Sequence, residues 1–183
     1  MELEAIIKSR RTIRKYKKRD IPNSIIKKIL GLSRYAPSSM DGQPWHFIVV
    51  KDRGLKSRIA EIKNKYCPIK KTSYKADFLI NSRAVIVVCV DKEKSYDREI
   101  ENGVLATALI ILGASKEGIG SVYMSAYKDD ELMVAQEIRE LLGIPKNIDP
   151  ITIIPLGYPD ESPGPKKLRP LSGMVSYETF SAK

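Results

Sequence analysis

Two short stretches of the chain place arginines where they could close on an anion. In SRRTIR, residues 9 to 14, Arg10, Thr12 and Arg14 are alternate residues, so in an extended segment they share one face. Two guanidiniums and a hydroxyl on one side can grip a phosphate, because arginine offers a planar fork of donors. In PKKLRP, residues 165 to 170, Lys167 and Arg169 alternate in the same way. Taken alone, each hexapeptide is more simply a solvated basic turn or tail.

Two further stretches carry neutral donors and exposed backbone. APSSMDGQPWHF, residues 36 to 47, holds turn signals at Pro37, Asp41-Gly42 and Pro44, because proline fixes φ and Asp-Gly tolerates positive φ. Ser38, Ser39 and Gln43 suit a heterocycle or sugar more than a charge. Trp45 reads as a plug that anchors the loop, and His46 as a satisfied structural histidine. In EGIGSVYMSAY, residues 117 to 127, Gly118 and Gly120 permit a tight turn and close backbone approach. As a dinucleotide fingerprint it fails, since it is incomplete and leads into a strand instead of a helix. The small residues Ser125 and Ala126 could show backbone N–H groups to a flat ligand. No nucleophile–base pair, carboxylate dyad or metal cluster stands out, which points to a cofactor for any chemistry.

The elements that must position these residues follow from periodicity. Helices are expected over residues 2 to 9, over 23 to 36 with Asn23 as cap, from Leu55 to Tyr66, over 98 to 116 and from Asp129 to Gly143. The helix over 98 to 116 is apolar nearly all round and should be the central buried one. Strands are expected at 47 to 51, 84 to 90, 121 to 125 and 151 to 158. Pro155 argues for an edge or a bulge in the last of them. Residues 67 to 82 read as a polar, lysine-rich excursion, mobile or helical. Strands and helices alternate, so the class is α+β, with helices covering a mixed central sheet.

Composition bounds the rest. The 183 residues fit one domain, and 43% hydrophobic with 30% charged residues is an ordinary globular balance. The longest nearly apolar run, VLATALIILGA (104 to 114), is too short to span a bilayer, and no signal peptide opens the chain. Cys67 and Cys89 lie far apart with no C-x-x-C pattern, so zinc and a disulfide framework are disfavoured and a reducing cytoplasm is the expected home. The net charge of +10 sits mostly before residue 35, with eleven Lys/Arg against three Asp/Glu. That leaves a nucleic-acid or membrane-facing arm, a solvated surface and a specific anion site as readings of KSRRTIRKYKKR.

In order along one chain, the four stretches resemble the nitroreductase family of FMN-dependent oxidoreductases. SRRTIRKY resembles its R-R-S-I-R-x-[FY] motif, APSSMDGQPWHF its A-P-S-x-x-N-x-Q-P-W loop, GIGSVYMSAY its G-L-G-x-x-W-I-G-G-F segment, and KKLRPL its K-x-R-x-P-L. The resemblance implies an α+β sandwich assembled as an intertwined homodimer, with FMN at the subunit interface and residues 162 to 183 reaching over the partner. It places Arg10, Arg11, Thr12 and Arg14 on the phosphate, ribityl and pyrimidine edge of FMN, with Lys167 and Arg169 completing the phosphate site. Pro37, Ser38, Ser39, Asp41 and Gln43 would meet the flavin from the other subunit. Backbone N–H groups of Ser125 and Ala126 would face the reactive ring nitrogen, and Arg14 would steady the negative charge of the reduced ring. The implied activity is ping-pong electron transfer from NAD(P)H to a nitroaromatic, a quinone or a similar small acceptor.

Asp41 stands where the family motif has Asn, Ser125 and Ala126 where it has Gly-Gly, and Tyr123 where it has Trp. An ion pair from Asp41 to Arg14 or another cation is expected if the carboxylate faces the flavin. Nothing here fixes the acceptor or the choice between NADH and NADPH. The alternatives are a specialised branch that destroys flavin or removes halogen, and a basic nucleic-acid-binding module without catalysis.

Overall fold

The computed structural model describes residues 2–66, 75–127 and 133–180. Its centre is β2 (Ala84–Asp91), whose sequence AVIVVCVD is an almost unbroken apolar run, the pattern of a strand covered on both faces. Ala84 to Val90 are all buried. Val85, Val87 and Cys89 face one core, shared with α3 (Arg53–Lys65), α4 (Phe78–Asn81) and α6 (Met133–Leu142). Ala84, Ile86 and Val88 face the other, shared with α2 (Asn23–Ser33) and α5 (Glu99–Lys116). The period-two alternation of one strand thus builds a three-layer sandwich. Burial pushes the Cys89 thiol up to about 12, which makes it inert packing at neutral pH.

Strand order is β1 (Trp45–Val50), β2, β5 (Ile148–Gly157) and β3 (Gly120–Ser121), with β4 (Met124–Ser125) also on β5. Every pair of strands is antiparallel. The mixed sheet expected from the sequence is therefore corrected to an antiparallel one. Among the described residues, parallel pairing is confined to an isolated bridge between Thr12 and Ser121.

Pro155 explains a second departure. The strand expected over 121 to 125 is split into β3 and β4, yet both halves keep one register against β5: Gly120 lies opposite Gly157 and Met124 opposite Ile153. That register sets Val122 opposite Pro155. Ala126 donates to Ile151 O at 2.8 Å, and hydrogen-bonded pairs alternate in antiparallel ladders, so residue 155 should donate toward Val122. Proline has no N–H to give, and the ladder opens there. β5 is interior, not an edge, and the bulge in its pairing with β2 falls at Val88/Cys89. On the β2 side the ladder uses Leu156, whose carbonyl accepts from Arg83 N–H at 2.8 Å, so Pro155 costs nothing on that side.

The helices follow their apolar spacing with two corrections. Asn23 is the first residue of α2 and does not cap it; Pro22 holds that place, and Asn23 Oδ1 accepts from Lys51 Nζ at 2.7 Å. α5 is not buried all round, since Ile100 and Leu105 stay 37% and 41% exposed. α1 (Leu3–Ser9) buries Ile6 and leaves Leu3 and Ile7 in solvent. The start at Asp129 expected for the last helix, and Cys67 to Ser73 with Tyr74 in the excursion, lie outside the described residues. Among those described, no helix is long and apolar enough to cross a membrane.

Candidate active site

After α1 the chain runs as an arm across the β3–β5 edge. Ile13 N–H donates to Ser121 O at 3.1 Å and Lys17 N–H to Tyr158 O at 2.9 Å. Ile13 and Tyr16 are buried against the sheet. They can lie so close because Gly120 and Gly157 face each other in one cross-strand pair. A Cβ on Gly120 would stand 2.6 Å from Ile13 Cβ, and one on Gly157 would stand 2.5 Å from the Tyr16 ring. Gly118 serves differently: its φ of +70° makes the turn out of α5.

The arm frames a hollow of about 250 Å³ lined by Arg10, Arg11, Gly118, Gly120, Ser121 and Pro159, among others. The Arg10 guanidinium has no hydrogen-bond or ion-pair partner among the described residues. Arg11 is committed, donating to the carbonyls of Lys8 at 2.7 Å, Arg10 at 2.9 Å and Gly164 at 3.2 Å. Arg14 is exposed, its guanidinium 5.9 Å from the centre of the Phe78 ring. The backbone N–H groups of Arg14 and Lys15 both donate to the Glu161 carboxylate. Burial pushes the Glu161 carboxyl up, but these two donors and the two side-chain charges outweigh it and hold it below the usual range.

The opening loop is built around Asn102, a buried residue of α5. Its Oδ1 accepts from Ser39 N–H at 3.0 Å, its carbonyl from Trp45 Nε1 at 3.0 Å, and its Nδ2 donates to Ser95 O at 3.1 Å. Trp45 is the anchor expected. Positive φ falls on Met40, Asp41 and Gln43, not on Gly42, whose φ is −66°. Glycine is needed at 42 for room, since a Cβ would meet the Lys94 carbonyl oxygen at 2.0 Å. Ser38 Oγ accepts from Gln43 N–H at 3.1 Å, and Gln43 Nε2 donates to Asp41 Oδ1 at 3.1 Å. Within the chain Asp41 therefore has an amide partner, and the ion pair to Arg14 is not formed. Pro37 is exposed, and His46 is exposed on the wall of a 780 Å³ hollow, not packed as a satisfied structural residue.

At β4 the two expected N–H donors part company. Ala126 N–H is bonded within the sheet to Ile151 O, which corrects its expected role toward a ligand. Ser125 opposes Thr152 in the intervening pair, so its own N–H and C=O turn to the outer edge. Lys63 Nζ confirms that direction, donating to Ser125 O at 2.7 Å.

Within one chain these parts do not converge. Trp45 pairs with Val90 at one end of β2, while Ser121 pairs with Leu156, which faces Ala84 at the other. That puts loop and arm roughly 20 Å apart along the strand. Lys167 and Arg169 lie exposed on the tail, with no partner among the described residues.

The model of the nitroreductase family matches residues 7–158. The chain belongs to the nitroreductase family. It is thereby an oxidoreductase, and the basic nucleic-acid module is set aside. A candidate NADH dehydrogenase/NAD(P)H nitroreductase of Archaeoglobus fulgidus is 40% identical over 159 residues, covering 85% of this chain and 84% of its own. An FMN-dependent nitroreductase from Clostridium difficile superposes with a TM-score of 0.83 at 31% identity, over 97% of this chain and 99% of its own. An iodotyrosine deiodinase bound to FMN and 3-iodo-L-tyrosine gives 0.81 at 25% identity, over 98% and 100%.

Three residues of this candidate site carry no signal in the sequence: Asn102, Lys63 and Gly157. Asn102 sits amid a helical apolar run where its type signals nothing, and only the fold brings Ser39 and Ser95 to it. Asn102→Ala should lower unfolding stability by roughly 2–4 kcal/mol, because Ser39 N–H and Ser95 O both lose a buried partner. A denaturant midpoint equal to wild type would show that water replaces both bonds. Asp41→Asn keeps the shape but adds a donor beside Gln43. Its removal of a negative charge from the loop should raise FMN affinity or midpoint potential if the loop faces flavin. Unchanged values of both would make Asp41 a turn residue only.

Proposed function

We propose that this chain binds FMN and passes electrons from NAD(P)H to a small acceptor such as a nitroaromatic or quinone. The observation that carries the proposal is the arm seated on the Gly120–Gly157 pair, which holds Arg10 unpaired over a glycine-lined hollow. The donor set fits a phosphomonoester. Arg10 supplies an uncommitted guanidinium, and the narrow wall at Gly118 to Ser121 admits close backbone approach. Thr12 stands beside it for a ribityl hydroxyl, and Arg14 for the ring edge.

Bound FMN would supply two-electron chemistry, taking hydride from NAD(P)H in one half of a ping-pong cycle and reducing the acceptor in the other. The chain's own part is to bind and orient. The Ser125 N–H, turned to the open edge of β4, is the donor available to a flat ring, and Lys63 fixes its peptide through the Ser125 carbonyl. No side chain is required as acid or base, because hydride transfer rests on geometry.

Two chains would complete each site. The loop of Pro37, Ser38, Ser39, Asp41 and Gln43 lies at the far end of the sheet from the arm, so it serves a flavin held by a partner. Leu3, Ile7 and Leu105, and Tyr177 and Phe180 of the tail, are exposed apolar residues that a two-fold partner would cover, with Lys167 and Arg169 carried across to a phosphate. The test is the visible spectrum of purified protein after FMN addition and desalting, with sedimentation of the same sample. One flavin per chain in a species of two chains is expected. A colourless protein without a thermal shift on FMN would remove the flavoenzyme reading.

A further inference from the structure

At the Val50–Val85 end of the β1–β2 pair, where the chain leaves the arm at Lys18, lies a hollow of about 660 Å³ lined largely by cations: Lys18, Lys51, Arg53, Lys56 and Arg83, with Asp20 the one carboxylate. Its volume falls in the ~300–1,000 Å³ range of small-ligand sites. It shares no residue with the Arg10 hollow. β1 and β3 are separated by β2 and β5, three strand spacings or roughly 14 Å.

These charges are poorly neutralised by the protein. Lys18 and Arg53 are exposed and have no partner among the described residues. Lys51 donates to neutral acceptors, Ile21 O at 3.2 Å and Asn23 Oδ1 at 2.7 Å. Lys56 is 6% exposed, and its ammonium donates to Ser82 O at 2.5 Å. Arg83 reaches Asp20 only at 3.8 Å, and Asp20 itself is 92% exposed. Arg83 Nε is buried with no acceptor among the described residues. Nearby Asp52 is spent on capping α3, accepting from Leu55 N–H at 2.8 Å. Burying like charges together without counter-ions is costly, and a bound oxyanion would remove much of that cost.

We propose that this hollow is a binding site for an oxyanion of the phosphate class, with Arg53, Lys18 and Arg83 as its principal ligands and Lys56 as the charge at its floor. Lys56 agrees: burial first, then the charges of Arg83 and Arg53, hold its pKa below the usual lysine value. Either free phosphate or the phosphate ester of a small molecule supplies this chemistry.

The experiment uses FMN-loaded protein, so that the flavin's own phosphate pocket is filled. Phosphorus NMR follows the line width of inorganic phosphate on titration, with chloride holding ionic strength constant. Saturable broadening is expected, weakened about tenfold or more in the Lys18→Gln/Arg53→Gln double variant. Both positions are exposed, so the fold should survive. Arg83→Gln provides a second variant, whose thermal midpoint should no longer rise with phosphate. Competition by adenosine 2′-monophosphate but not adenosine would identify an esterified ligand, and competition by neither a free anion. Equal affinity in wild type and double variant overturns the proposal. So does broadening that appears only in FMN-free protein, which would mean that phosphate was entering the flavin site.

Discussion

Arg10→Ala is expected to weaken FMN binding by about 1.5–3 kcal/mol, roughly 10- to 150-fold in dissociation constant. The size follows from the state of the guanidinium. The Arg10 guanidinium makes no bond to the rest of the described chain, so truncating it leaves the arm intact and subtracts only what it does for a ligand. Arg11 is the opposite case: its bonds to Lys8, Arg10 and Gly164 carbonyls tie α1 to the tail. Arg11→Ala should therefore lower stability along with affinity. Lys17 and Lys18 carry the same charge a few residues on and are solvent-exposed, so their alanine variants should bind FMN as wild type does. Fluorescence quenching titrations on all four at fixed salt separate the alternatives. Equal small losses in every variant would mean a diffuse basic field, in which salt screens each charge alike, and Arg10 would lose its assigned role.

Much of the frame was legible because its signals are local. The run from Ala84 to Val90 announces a doubly covered strand, and helical spacing in α2, α3 and α5 announces the faces that cover it. The four stretches that could do chemistry were also legible, since turn chemistry and alternation are written in adjacent residues. What was not legible depends on pairing between distant residues. Nothing in SVYMS shows that its strand will open at Val122, because the cause is a missing N–H on Pro155 across the ladder. The hydrogen bond that removes the Ala126 N–H from the edge depends on Ile151 in the same way. An ion pair from Asp41 to Arg14 is expected only where the loop faces a flavin, and within one chain Asp41 accepts instead from the Gln43 amide two residues on. Gly42 was assigned to backbone freedom, whereas the Lys94 carbonyl, brought in by a separate loop, is what excludes a side chain.

Gly157 is the position where fold and site are most tightly coupled, and Gly157→Ala is expected to cost both stability and FMN affinity. The added methyl would stand 2.5 Å from Tyr16 Cδ1, 2.7 Å from Cγ and 2.9 Å from Cβ, so contact runs along the root of the side chain and rotation of the ring cannot relieve it. Nor can Tyr16 retreat alone. Its hydroxyl donates to Ile13 O at 2.6 Å, and the arm on either side is bonded to Ser121, Tyr158 and Asp160. The arm must lift as a unit, at an overpacking cost of ~1–3 kcal/mol, and Arg10 moves with it. Gly164→Ala is the control, since a Cβ there meets nothing within 4 Å. Thermal unfolding and FMN titration should both shift for Gly157→Ala and neither for Gly164→Ala. The cause can be isolated further, because truncating Tyr16 makes room for the methyl. Tyr16→Ala/Gly157→Ala should then be less destabilised than the two single losses predict, by the coupling expected of residues in direct contact. Additive losses would place the defect elsewhere, and a Gly157→Ala variant with wild-type melting would mean that the arm is not held by this glycine pair.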